Sequence, residues 1–256
     1  MAEALRVEGL RKSFGGVAAV NGPSFAIEAG RITGLIGPNG SGKTTVFNLI
    51  TGVLAPDSGR VRLDGRDVTR WAPHRVTRCG LARTFQISRV FGKMTVWENM
   101  MVVARGGSQR AASALAVDLL ERVNLYEARD KLGAELSYGQ QRLLEFVRAL
   151  MLEPILVLLD EPFAGVNPTM AQTMLALIRR LQDEGTTIFV IDHAMTIIMG
   201  LCDRLLVMDM GELIADGPPT EIQRDERVLE AYFGRPESVS PYRRSRPSPP
   251  LATEGG

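Results

Sequence analysis

GPNGSGKT, residues 37–44, lies between the apolar run RITGLIG (31–37) and the helical run VFNLIT (46–51). It fits the pattern GxxxxGK[ST], and its setting between a strand and a helix matches as well as its letters. Glycines there let the backbone wrap closely around phosphates, while main-chain amides and the helix N-terminus face the negative charge. Gly37, Pro38, Asn39, Gly40, Ser41, Gly42, Lys43, Thr44 and Thr45 are therefore candidate nucleotide-binding residues. Lys43 is expected to reach the terminal phosphates and Thr44 to ligate Mg2+. A glycine-rich turn with no ligand is the plain alternative.

ILVLLDEP, residues 155–162, supplies the second half of such a site. An Asp at the end of a buried strand beside the loop, Asp160, can hold the metal through its water shell. Glu161, one residue on, is placed to polarise an attacking water, a role worth about 10²–10⁴-fold in rate. Taken alone, the two acids could equally be a strand ending in solvent.

RITGLIG, LARTF (81–85), ILVLLD (155–160) and TTIFVID (186–192) are short apolar runs separated by helical patterns. They predict a buried, largely parallel sheet and so an α/β core. Alternation in LRVEGL (5–10) and SFAIE (24–28) predicts half-buried antiparallel strands, and VRLDGRDV (61–68) carries an Asp64-Gly65 hairpin turn. Asn167 as N-cap, Pro168 after it, apolar spacing through Met174, Leu177, Ile178 and Leu181, and Gly185 as a stop define one crossover helix. Between Thr95 and Glu153 the strand signal vanishes, and about three helices, including SQRAASALAVDLLERVNL and YGQQRLLEFVRALML, form an insertion. The last 22 residues, RPESVSPYRRSRPSPPLATEGG, are rich in Pro, Ser and Arg and are expected to be disordered.

The bulk properties read as those of a soluble globular protein. The chain has 256 residues, 45% of them hydrophobic, and a formal net charge of +1, which argues against nucleic-acid binding through a strongly basic surface. Cys79 and Cys202 match no metal spacing and are too few for a disulfide framework, so a reducing cytosol is expected. Neither a signal segment nor an apolar run of membrane-spanning length is present in the sequence.

LSYGQQ, residues 136–141, puts a hydroxyl, a glycine and side-chain amides at the start of a predicted helix. It has no nearby His or carboxylate to make Ser137 a nucleophile, which leaves a helix cap or a ligand contact. The guanine-reading NKxD is absent. Gln86 follows LARTF and His193 follows TTIFVID, so the P-loop, Gln86, LSYGQQ, the Asp-Glu pair and His193 stand in a fixed order.

In that order the chain resembles an ABC transporter nucleotide-binding subunit from about Leu5 to Gly234. The resemblance implies a P-loop NTPase ABC cassette: a RecA-like mixed α/β sheet core with an N-terminal antiparallel β subdomain and a helical subdomain at about 87–153. The cassette would occupy residues 1–234 and the tail 235–256. It further implies that Phe14 stacks on adenine, that Gln86 contacts the metal, and that Ser137, Gly139 and Gln140 contact nucleotide. Asp160 would bear the metal, Glu161 would be the catalytic base, and His193 would be a switch histidine at the γ-phosphate. Lys43 and Gln86 would join them in catalysis. Within the family, ARTFQ, VFGKMTVWENM, LSYGQQRLLE, AGVNP and VLEAYFG are similar to the larger ATPase of branched-chain amino acid importers. IDHAM departs from the family pattern, with Asp192 and Ala194 flanking the histidine where Glu and Asp are usual.

The implied cofactors are ATP and Mg2+. The implied partners are a second ATPase subunit, identical or paralogous, transmembrane permease subunits and, through them, a periplasmic or extracellular substrate-binding protein; no nucleic acid is among them. The implied location is the cytoplasmic face of the inner membrane, as a peripheral subunit. Related cassettes for urea, amides or lipopolysaccharide export are the nearest alternatives, followed by a soluble ABC ATPase of DNA repair or translation. A P-loop metabolite kinase would leave LSYGQQ and His193 without jobs.

Overall fold

The computed structural model describes residues 2–84, 90–104 and 108–233. Gln86, Phe85 at the end of LARTF, and the tail from 235 onward lie outside the described residues. In chain order the elements begin with strands β1 (Glu3–Phe14), β2 (Val17–Asn21), β3 (Phe25–Glu28) and β4 (Ile32–Ile36), then helix α1 (Lys43–Ile50). Next come β5 (Ser58–Leu63), β6 (Arg66–Asp67), α2 (Pro73–Arg78) and β7 (Leu81–Arg83). Helices α3 (Val96–Met101), α4 (Gln109–Arg122) and α5 (Tyr138–Leu150) follow, with two short 3₁₀ turns between α4 and α5. The chain then runs β8 (Leu156–Asp160), α6 (Pro168–Asp183), β9 (Thr187–Ile191), α7 (Met195–Leu201), β10 (Arg204–Asp209), β11 (Glu212–Gly217), α8 (Pro219–Ile222) and α9 (Glu226–Phe233).

Two sheets result. β1 pairs antiparallel with β2, β3 and β5, and β5 pairs with β6 through a hairpin in which Asp64 and Gly65 both have positive φ, 47° and 73°. That is the geometry of a tight primed turn, the reason an Asp-Gly pair stands there. The second sheet has the order β11-β10-β4-β9-β8-β7, parallel from β10 through β7 and antiparallel only at its β11 edge. The expected α/β fold with a mixed core sheet, an N-terminal antiparallel sheet and a run of helices is what the chain adopts.

Every residue of β4, β8 and β9 is buried, and the two faces feed different cores. Val157, Leu159, Ile188 and Val190 pack with α3 to α6, while Leu156, Leu158, Phe189 and Ile191 pack with α1 and the antiparallel sheet. This two-sided burial is why these strands read as continuous apolar runs rather than alternating ones. It also aligns the C-terminal ends of β4, β8 and β9, so that the segments starting at Gly37, Glu161 and Asp192 emerge on one edge of the sheet. Open α/β sheets place ligands along that edge.

The pair β10–β11 had no clear sequence signal. It turns at Met210-Gly211, with φ of 43° and 84°, so a methionine occupies a turn position where Asn or Asp is the usual cue. A register shift between Val207 and Met208 also breaks its alternation.

Candidate active site

The P-loop folds around its own lysine. Lys43 Nζ donates to Gly37 O at 2.8 Å and Pro38 O at 2.9 Å, with Ser41 Oγ at 3.4 Å. Gly37 has φ 148°, and a Cβ on it would meet Met208 O at 2.0 Å; Gly42 has φ 101°, and its Cβ would meet Ala19 O at 2.4 Å. Only glycine satisfies both the backbone angle and the space at these two positions. Gly42 caps α1 with no side-chain hydrogen bond, so the first amides of that helix keep their donors for an external acceptor. Burial lowers the Lys43 pKa, and the charge of Glu161 acts in the opposite direction.

A cavity of about 290 Å³ opens above this loop, lined by Ala19, Asn39, Gly40, Gly42, Lys43, Thr44, Thr45, Glu161 and His193. Six of the nine sequence-predicted P-loop residues, Glu161 and His193 thus line one cavity. Glu161 Oε1 and His193 Nε2 are 2.9 Å apart. Gly37, Pro38 and Ser41 stand behind the cavity as the acceptors that hold Lys43.

Glu161 is unusual in its backbone. Its φ is +49°, a left-handed conformation that costs a non-glycine residue of order 1–3 kcal/mol and persists only where its surroundings hold it. Hydrogen bonds to its backbone do so: Glu161 N donates to Ile191 O at 2.8 Å, and Glu161 O accepts from Arg142 Nη2 of α5 at 2.7 Å and from Ala164 N at 3.2 Å. The turn re-aims the carboxylate, which is how one residue beyond a buried strand reaches the cavity. Asp192, buried, does similar work for the histidine loop: Oδ1 accepts from Ala194 N at 2.8 Å and Oδ2 from Phe163 N at 3.0 Å. The short Asp therefore ties the loop bearing His193 to the segment after Glu161.

Asp160 is buried and bonded to Arg83, Nη2 to Oδ2 at 2.7 Å. Among the described residues no group of three or more His, Cys, Asp or Glu side chains is arranged as a metal cage. The available donors, the Thr44 hydroxyl and the Asp160 carboxylate, are hard oxygens of the kind that share Mg2+ with water and substrate phosphates rather than enclosing it. The residues fit that ion.

The other predicted residues lie elsewhere. Phe14 ends β1 with 48% of its surface exposed and Lys12 Nζ 5.6 Å from its ring centroid; it does not line the cavity. Ser137 is the N-cap of α5, in a capping box: Gln140 N donates to Ser137 Oγ at 3.3 Å and Ser137 N donates to Gln140 Oε1 at 3.0 Å. Gly139 packs on α6, where a Cβ would meet Met170 Cγ at 2.8 Å. All three are outside the cavity. Arg83 and Arg142 were missed from sequence. The signal for Arg83 was available, since an arginine inside the buried run LARTF requires a partner; Arg142 reads as ordinary helix surface until its carbonyl partner is seen.

Among the described residues no helix is long and apolar enough to cross a membrane. Residues 20–164 match the family described as ABC transporter, and residues 212–238 match the family described as branched-chain amino acid ATP-binding cassette transporter. The chain is 40% identical over 248 residues to the high-affinity branched-chain amino acid transport ATP-binding protein BraF of Pseudomonas aeruginosa, covering 90% of this chain and 97% of that one. It is 38% identical, with the same coverage, to LivG of Escherichia coli K12, of the same description. It is 35% identical over 233 residues to the lipopolysaccharide export ATP-binding protein LptB of the same organism, again covering 90% and 97%. A solved nucleotide-free ATP-binding cassette from an ABC transporter superposes with a TM-score of 0.81 at 34% identity, covering 91% of this chain and all of that one. The ADP conformation of an ABC transporter cassette gives 0.81 at 35%, covering 92% and 100%.

Proposed function

The chain belongs to the ABC transporter family and is one of its ATP-binding, ATP-hydrolysing subunits; on that premise we propose that it energises import of branched-chain or other hydrophobic amino acids. The observation that supports this cargo class is the match over residues 212–238, which lies beyond the residues 20–164 that match the general ABC transporter family. The reading places the protein at the cytoplasmic face of the inner membrane, bound to permease subunits fed by a substrate-binding protein. It takes residues 1–234 as one cassette, with about 87–153 as the helical subdomain.

In this reading the P-loop amides and Lys43 bind the ATP phosphates, Phe14 stacks on the base from the exposed end of β1, and Thr44, Gln86 and Asp160 hold Mg2+. Held by those residues, the ion would supply positive charge to the phosphates. Glu161 orients and deprotonates the attacking water, and His193, within hydrogen-bond distance of it, keeps the carboxylate directed at the γ-phosphate. Ser137, Gly139 and Gln140 belong to the pocket of a second ATPase subunit, which explains why they lie outside this chain's own cavity. Contacts made only in the closed, ATP-loaded pair give ATP the differential affinity that a ligand-driven switch needs.

The test is Glu161→Gln. ATP binding is expected to stay within about twofold while hydrolysis falls by the 10²–10⁴-fold typical of a lost base, and a closed pair should accumulate on ATP. Wild-type turnover in that variant would remove Glu161 from the role. Cargo is tested by reconstitution with the co-purifying permease: ATP-dependent uptake of leucine, isoleucine or valine is expected, whereas lipid extraction without amino-acid uptake would favour the export reading suggested by the 35% identical relative.

A further inference from the structure

Arg83 sits at the end of a buried strand, with its side chain only 7% exposed. A guanidinium there needs partners that compensate for lost hydration. Nη2 donates to Asp160 Oδ2 at 2.7 Å, and the Asp160 side chain is itself 5% exposed. Nη1 donates to Asn48 Oδ1 at 2.8 Å and to Thr51 Oγ1 at 3.1 Å. Asn48 belongs to the last turn of α1 and Thr51 is its C-cap, the end of a helix where a cation is favoured. The guanidinium carbon lies 5.7 Å from the Phe47 ring centroid. One planar group therefore joins β7, the end of β8 and the helix that begins with Lys43 and Thr44.

We propose that Arg83 is a positioning residue for the magnesium-bound nucleotide: it holds Asp160 by Oδ2, presents Oδ1 to the cation's water shell, and locks that carboxylate in register with Thr44 through α1. The proposal rests on the reading of Asp160 and Thr44 as the Mg2+ side of the site. Two effects of opposite sign compete. The positive charge of Arg83 repels a divalent ion, which would weaken metal binding. Its removal, though, leaves a buried carboxylate without the ion-pair partner that fixes its orientation, free to rotate. The second effect dominates because Asp160 is almost fully buried and Arg83 is its ion-pair partner. A lysine would keep the charge without the fork, so it could not serve Asp160 and the end of α1 together.

The test uses the full chain and a fluorescent ATP analogue, titrated in EDTA and again against Mg2+. For Arg83→Met and Arg83→Lys, affinity in EDTA is expected to stay within about twofold of wild type. The Mg2+ concentration that gives half of the metal-dependent gain should rise about tenfold or more in Arg83→Met, the scale seen when an outer-shell partner of a metal ligand is removed, and less in Arg83→Lys. Adding Arg83→Met to Asp160→Asn should change the Mg2+ response no further, because the two act through one contact. Should Arg83→Met fail to fold by circular dichroism, Arg83→Lys and Arg83→Gln carry the same comparison. An unchanged or lowered Mg2+ requirement in folded Arg83 variants, with the wild-type gain intact, overturns the proposal alone. If wild type gains nothing from Mg2+, the metal reading of Asp160 falls and this proposal falls with it.

Discussion

The two cysteines show how far environment separates identical residues. Cys79 is half-buried, at the end of α2, whereas Cys202 is buried and its thiol is pushed up to about 12, by burial first and by the neighbouring Asp203 charge second. A thiol reacts as its thiolate. At pH 8 a thiol reagent is therefore expected to label Cys79 and spare Cys202 in the folded protein, and to label both in denaturant; mass spectrometry of labelled peptides checks it. Equal labelling of the two under native conditions would contradict the packing around α7. At the same scale, the placement of Lys43 and Glu161 beside one cavity was legible in the sequence, because it follows from the spacing of their motifs along strand ends. What holds the Asp-Glu pair was not, since Arg142 reaches Glu161 and Arg83 reaches Asp160 across 19 and 77 residues of chain.

At the level of elements, Ser137 caps α5 and Gln140 closes the box, so the plain reading of LSYGQQ as a cap is correct; the proposed contact with a second subunit's nucleotide would be an additional role. Ser137→Ala is expected to cost about 1 kcal/mol of stability through the lost cap, measurable by denaturant unfolding. Ser137→Arg should leave ATP binding by the single chain nearly unchanged, yet abolish ATPase in the assembled complex. A large loss of single-chain affinity for Ser137→Arg would place Ser137 in its own pocket, against the geometry described. The central strands and α6 were readable because burial on both faces, the Asn167 cap and Pro168 each leave a local mark. β10 and β11 were not, because their turn is built on Met210 and their register is broken, and neither device has a distinctive letter pattern.

Across the whole molecule, Arg122 of α4 binds Asp118 on its own helix at 2.8 Å and Glu184, the C-cap of α6, at 2.7 Å. It thus fastens the helical region to the sheet core. Arg122 holds the Glu184 carboxyl below its usual value of 4.5, against a smaller opposing effect of burial. For a lowered carboxylate the stabilisation is present above the unfolded value and is lost as pH falls through the folded one. Thermal unfolding midpoints of wild type are accordingly expected to fall more steeply below about pH 4.5 than those of Arg122→Gln, with a difference that shrinks in high salt because Glu184 is partly exposed. Parallel curves would mean that the bridge contributes nothing to joining the two regions.

Helix α5 has one more consequence at this scale. Ser137 stands at its start and Arg142, five residues on, or about 7.5 Å along the axis, grips the carbonyl of Glu161. If, as proposed, a neighbouring subunit's nucleotide contacts Ser137, one helix links that contact within two turns to the left-handed peptide of Glu161. In the proposed pair, two such chains face to face would each connect the other's nucleotide to their own Glu161 through a single thirteen-residue helix.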